Sequence, residues 1–242
     1  MCTVTYIPQG LGYYLTSNRD EHFKRPPAIL PEKNQYKEEG IWYPRDGGAG
    51  GSWIALKQDG TSAVLLNGAF EKHIKLPSYK LSRGLIFLSI IKQQDLLSGF
   101  MNENLEEIEP FTLILKTLLG LYECIWDGKQ KYQQEKDPNT AHIWSSCTLY
   151  HKEVRNKREA YFQNWLKLKS PINSSLIAEF HQSKPFADDS ENFMMKRLDG
   201  ISTVSITSFK VDSGLAEINY LDHQRPLFKP IYFEFNLQQK QK

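Results

Sequence analysis

The sequence predicts an α+β layered domain, on three observations. β-prone segments cluster towards both ends of the chain, amphipathic helical segments occupy the middle, and the two kinds do not alternate in the βαβ rhythm of a parallel sheet. A length of 242 residues, with 40% apolar, 12% aromatic and 24% charged, is ample for a sizeable core. No repeat, linker or low-complexity segment divides the chain, so residues 1–242 read as a single domain.

Met1-Cys2-Thr3-Val4-Thr5-Tyr6-Ile7 reads as a strand, Gly10-Leu11-Gly12 as a turn and Tyr13 to Ser17 as the returning strand, ending in Asn18-Arg19-Asp20-Glu21. A turn near Gln9-Gly10 makes positions summing to about 19 face each other, which sets Cys2 against Ser17 and gathers Asn18 to Asp20 around the chain terminus. The prolines between Lys24 and Pro31 remove amide donors and impose an ordered loop. Ser52 to Leu56, the turn Asp59-Gly60 and Thr61 to Gly68 form a second hairpin, which delivers Asn67-Gly68 to a strand end.

Ser82 is the expected N-cap of a helix running to about Lys92, and Asp95 that of another ending near Phe100 to Asn102. Phe111–Leu115, Gly120–Trp126 and Ala141–Leu149 read as strands. Helix returns over Lys152–Lys169, where Val154, Ala160-Tyr161-Phe162, Trp165 and Leu168 make an apolar stripe, and again over Ser174–His181 after Pro171. Ser202–Phe209 and Ala216–Tyr220 pair through Asp212-Ser213-Gly214, and Ile231–Phe235 is a last edge strand.

A formal net charge of +2, from 30 basic and 28 acidic residues, gives no global pull towards nucleic acid or an anionic membrane, so any such contact must be local. Cys2, Cys124 and Cys147 are an odd, widely spaced set that supports neither a disulfide framework nor a CxxC site; a reducing cytoplasm is the expected home. No secretory leader or uninterrupted apolar run long enough to span a membrane is read in the sequence.

Two readings of Cys2 stand side by side. It can be an ordinary strand residue, because a free cysteine behaves as a small apolar side chain. It can also be the mature N-terminus once the initiator methionine is removed, and one residue then carries a nucleophile and a base. An α-amine with a pKa near 7.7–8.0 is about half neutral around pH 8 and can take the proton of a thiol with a pKa near 8.5. A neighbouring arginine favours the thiolate, and an aspartate can hold the amine.

The other constellations have blander readings. Gly47-Gly48-Ala49-Gly50-Gly51 lacks the lysine and following helix of a phosphate loop and reads as a tight structural loop. Six histidines show no metal-ligand spacing, and Asp20-Glu21-His22 alternates across strand faces, so neither metal nor cofactor is expected. Lys152, Arg155, Lys157, Arg158, Lys167 and Lys169 read as the solvated face of their helix, and Tyr161, Phe162 and Trp165 as core.

Met1-Cys2-Thr3, Thr16-Ser17-Asn18-Arg19-Asp20-Glu21, Ala49-Gly50-Gly51-Ser52-Trp53 and Leu66-Asn67 together resemble the NRDE family, also called the transport and Golgi organisation protein 2 family. Ile143-Trp144-Ser145-Ser146, Leu149-Tyr150 and Arg158 are similar to a later block of its bacterial members. That family in turn resembles the N-terminal nucleophile hydrolases, especially choloylglycine hydrolases and penicillin V acylases. The resemblance implies a four-layer αββα sandwich, with Cys2 as nucleophile, Arg19 beside its sulfur, Asp20 near its amine and Asn67 donating to the oxyanion. It further implies Asn18, Trp53 and Ser146 as substrate-binding residues. Where those hydrolases carry a second asparagine, this chain has Ser145-Ser146-Cys147, and only Arg197 stands near the place of their final arginine. Two functions follow from the resemblance: hydrolysis of a linear amide or related acyl substrate, or non-catalytic binding and trafficking with haem, a lipid or an acyl ligand as the partner.

Overall fold

The computed structural model describes residues 3–30, 40–169, 171–225 and 231–237. In chain order they form β1 (Thr3–Gln9), β2 (Gly12–His22), β3 (Ile41–Trp42), β4 (Ile54–Lys57), β5 (Ser62–Asn67), α1 (Arg83–Ile91), α2 (Leu96–Asn102) and β6 (Phe111–Lys116). There follow β7 (Leu121–Trp126), β8 (Lys131–Lys136), β9 (His142–Ser145), α3 (Lys152–Leu168), α4 (Ser174–His181), β10 (Ile201–Asp212), β11 (Leu215–Asp222) and β12 (Ile231–Asn236). The class is α+β, as the sequence predicts.

The described residues divide into two compact units, one from 3–25, 139–169, 171–225 and 231–236, the other from 26–30, 40–138 and 237. The first contains a six-stranded antiparallel sheet in the order β12-β11-β10-β2-β1-β9, so the opening hairpin occupies its interior. Ile7 and Tyr14 of that hairpin pack against Phe162 and Trp165 of α3, Ile177 and Phe180 of α4, and Phe193. Phe162 and Trp165 belong to the stripe anticipated for α3, and Tyr161 packs against the same cluster, whereas Ala160 and Leu168 of that stripe are exposed.

The hairpin register differs from the expected one. Thr3 faces Asn18 and Val4 faces Ser17, an index sum two higher than a turn at Gln9-Gly10 gives. The loop is Gly10-Leu11, closed by the Gln9–Gly12 pair, and Gly10 takes φ 58°, the positive value that a glycine supplies in a two-residue hairpin turn. The Asn-Arg-Asp-Glu run does not follow the strand but lies inside it, because β2 continues to His22 beside β10.

The second unit's described strands form a six-stranded sheet ordered β3-β4-β5-β6-β7-β8. Ala63 and Leu65 of β5, with Phe111, Leu113 and Leu115 of β6, pack against Ile86, Phe87, Ile90 and Ile91 of α1 and Leu96 and Phe100 of α2. The expected caps are present: the Ser82 hydroxyl accepts from Leu85 N at 3.3 Å and the Asp95 carboxylate from Leu97 N at 3.0 Å. The glycine-rich loop is structural, as read. A Cβ on Gly51 would lie 2.5 Å from the Gly84 carbonyl carbon, and that close approach lets Ser52 N donate to Gly84 O at 3.1 Å.

Further elements depart from the sequence reading. β8 is polar along its length and carries no apolar alternation, which suits an exposed edge strand; the turn after Asp127 sets its register. β3 is a two-residue pairing too short to show a pattern. β9 stops at Ser145 rather than Leu149, because Ser146 O accepts from Tyr150 N at 3.0 Å and turns the chain. Among the described residues no helix is long and apolar enough to cross a membrane.

Candidate functional site

Cys2 lies outside the described residues. The next residue, Thr3, is fully buried at the start of an interior strand and pairs with Asn18 on one side and Ser145 on the other. Asn18, Arg19 and Asp20 are all buried in β2, so three adjacent polar or charged side chains sit inside a sheet where partners are required. Successive strand residues point to opposite faces. Asn18 and Asp20 therefore lie on the face that meets α3 and α4, and Arg19 on the other.

Asp20 is held from two elements. Tyr150 Oη donates to Oδ2 at 3.1 Å, and Thr203 Oγ1 donates to Oδ1 at 2.6 Å. The threonine has a single hydroxyl proton, and the short charge-assisted bond takes it in preference to the Phe193 carbonyl at 3.2 Å. Its oxygen also accepts from Met195 N at 3.0 Å. Thr203 reaches Asp20 through a register shift between Thr203 and Ser205, where β10 carries one extra residue against β2.

Asn18 is committed to a different network. Its Nδ2 donates to the carbonyls of His181 at 2.9 Å and Phe193 at 2.7 Å, which uses both amide hydrogens. Oδ1 must then accept, so His181 Nδ1, 2.5 Å away, carries the proton. The unprotonated Nε2 accepts from the Thr5 hydroxyl at 2.7 Å. Burial, and secondarily the charge of Arg158, push the His181 pKa from 6.5 down to about 3.

That shift has a pH consequence. The ring stays neutral in the folded chain, whereas the unfolded chain gains a proton below pH 6.5. The unfolded state therefore binds more protons between about pH 6.5 and 3, and the stability due to this group is complete above that window and lost as the pH falls through it. By about pH 5 the loss is ~2 kcal/mol. Thermal melts at pH 7 and 5 should register it, and His181→Gln should lower the melting temperature at pH 7 while shrinking the further drop to pH 5.

Arg158 corrects the reading of its helix as a uniformly solvated basic face. It is fully buried, with its guanidinium between the rings of Tyr150 at 4.0 Å and Phe193 at 4.6 Å, and its Nη2 donates to Thr3 Oγ1. The signal was present in the spacing, since Arg158 stands four and seven residues before the buried Phe162 and Trp165. His181 carried a comparable signal, one position beyond Phe180 and four beyond Ile177 on the buried face of α4. Tyr150 and Thr203 had no comparable pattern to mark them as partners of Asp20.

The remaining expected residues occupy separate places. Asn67 ends β5 half-buried opposite Phe111, and Trp53 is buried just before β4, its carbonyl accepting from Leu65 N at 2.8 Å; both belong to the second unit. Ser146 belongs to the first unit, buried after β9, and its hydroxyl lies 2.8 Å from that of Thr148. Arg197 is half-buried and pairs with Asp199 at 3.4 Å. Cys124 and Cys147 are buried, and burial pushes the Cys124 thiol up to about 12. Among the described residues no group of three or more histidine, cysteine, aspartate or glutamate side chains could hold a metal ion.

The α+β fold has likenesses among solved structures. It is similar to a Caenorhabditis elegans N-acylethanolamine-hydrolyzing acid amidase ortholog, with a TM-score of 0.58 and 11% identity over 86% of this chain and 92% of that one. A mutant conjugated bile acid hydrolase from Clostridium perfringens gives a TM-score of 0.47 and 8% identity, covering 98% of this chain and 97% of that one. The chain belongs to the Transport and Golgi organisation 2 family, whose model matches residues 1–215. No curated protein sequence matches it.

Proposed function

We propose that this protein is an N-terminal-cysteine amidase acting on a linear amide or related acyl substrate in the cytoplasm, and that residues 1–242 work as one domain. The observation that carries the reading is the burial of Asn18-Arg19-Asp20 in an interior strand, paired with the strand that opens one residue after Cys2. The fold likeness to an amidase supports it.

After Met1 is removed, the α-amine of Cys2 takes the thiol proton and the thiolate attacks the amide carbonyl. Arg19 favours the thiolate, and Asp20, already oriented by Tyr150 and Thr203, holds the ammonium. Asn67 and a backbone N–H donate to the tetrahedral oxyanion. The ammonium then returns the proton to the leaving amine, and water attacks the thioester to release the acid and restore the thiol. Trp53 and Ser146 are proposed to contact the substrate. Asn18 is assigned to positioning, because the core network occupies its amide.

The test is amine release from a panel of linear N-acyl amides, on protein whose N-terminus is confirmed as Cys2. Turnover is expected on at least one acyl class, and Asn67→Ala should lower kcat by about 10²–10³. No release from any substrate overturns the amidase reading. Family membership favours a second reading, a binding protein for haem, a lipid or an acyl ligand in transport or Golgi organisation. Saturable binding of such a ligand that survives Cys2→Ser, without turnover, would favour it.

A further inference from the structure

The loop between β5 and α1 is tied down at its roots and apolar at its surface. Gly68 N and Arg83 Nη1 both donate to Pro110 O, at 3.0 and 3.3 Å, so the two ends of the loop meet. His73 Nε2 and Arg83 Nη2 each lie 3.1 Å from the Glu109 carboxylate, and Lys80 N donates to Glu107 O at 3.0 Å. Tyr79 Oη accepts from Leu76 N at 3.0 Å within the loop. Between these ties Ile74 is 93% exposed, Leu76 57% and Leu81 45%.

Three exposed lysines, Lys72, Lys75 and Lys80, are interleaved with those side chains, and none forms an ion pair among the described residues. Between Gly68 and Ser82 the sequence contains one acidic residue, Glu71. Fixed aliphatic side chains standing in water beside unpaired cations call for an apolar layer covered by negative charge. A folded protein partner fits less well, because lysine is depleted at the cores of such interfaces and the loop's exposed aromatic ring, Phe70, already packs edge-on against Tyr132 at 5.1 Å. An anionic bilayer supplies both layers at once: the aliphatic side chains enter the acyl boundary while the lysine stems reach back to the headgroups.

We infer that this loop is a docking site for an anionic lipid surface, with Ile74, Leu76 and Leu81 inserting and Lys72, Lys75 and Lys80 contacting lipid phosphates and carboxylates. The inference reaches beyond the amidase reading and needs no turnover as its readout. Sedimentation of the full chain with phosphatidylcholine vesicles, with or without phosphatidylserine, tests it. Binding is expected only to the phosphatidylserine mixture and should weaken as salt rises. Each lysine contributes roughly fivefold (~1 kcal/mol per basic residue), so changing all three to glutamine should lower partitioning about a hundredfold. Ile74→Ser with Leu76→Ser should also weaken binding, with unchanged melting temperature because both side chains are exposed. Absence of vesicle binding, or variants that bind as the parent does, overturns the inference. A self-association lost in Ile74→Ser with Leu76→Ser, without vesicle binding, would assign the surface to a second copy of the chain and overturn it equally.

Discussion

Cys2→Ala should abolish amide hydrolysis, with turnover falling by about 10⁴–10⁶. The expected loss is large because attack and proton transfer run through the same residue, so alanine removes the thiolate while leaving an α-amine with nothing to deprotonate. Cys2→Ser separates the two roles, keeping the amine and substituting a hydroxyl that ionises far less readily; residual turnover above the alanine variant is expected. Both measurements are rates of amine release at saturating substrate. Equal rates for alanine, serine and cysteine at position 2 would move the chemistry elsewhere in the chain.

Asn18→Ala should give the largest loss of stability of any single change in the motif, about 3–5 kcal/mol. The substitution leaves the carbonyls of His181 and Phe193 without a donor and the His181 Nδ1–H without an acceptor, all in a buried core. Each such orphaned group costs about 1–3 kcal/mol. At this chain length the melting temperature should drop on the order of 10 °C. A substrate-contacting asparagine behaves differently: its removal raises KM and leaves the melt unchanged. Thermal melts and steady-state kinetics on one variant therefore separate the positioning role from the contact role.

The parts legible in the sequence were those governed by local rules. Both caps, at Ser82 and Asp95, follow from side-chain geometry over three residues, and the span of α4 was legible after Pro171. The opening hairpin was legible as a hairpin, but its register was not, since placing the turn one residue earlier shifts every cross-strand pair by two positions. That shift decides which β2 residue stands opposite Thr3 at the start of the chain.

The buried network was harder to read for a different reason. Charge counting assigns Arg158 to water, and only the spacing to Phe162 and Trp165 argues otherwise. What makes its burial tolerable is a ring on each side and the Thr3 hydroxyl, groups brought from three separate segments by the fold. Asp20 depends likewise on Tyr150 and on a bulge in β10 far along the chain. The motif could be recognised from its letters, while its support could be seen only in three dimensions.

The same network holds the beginning of β1 in place. Thr3 is paired on both sides and bonded to Arg158, Thr5 to His181, and Asp20 to Tyr150 and Thr203, so the helices brace β1 and β2 from one face.

Intact mass spectrometry of the purified protein, before and after treatment with an acylating electrophile such as a lactam, tests the N-terminal nucleophile most directly. The expected mass lacks Met1 and gains a single adduct that maps to Cys2, with Cys124 and Cys147 unmodified in their buried positions. A retained Met1, an adduct confined to either of the other cysteines, or no adduct at all would contradict it.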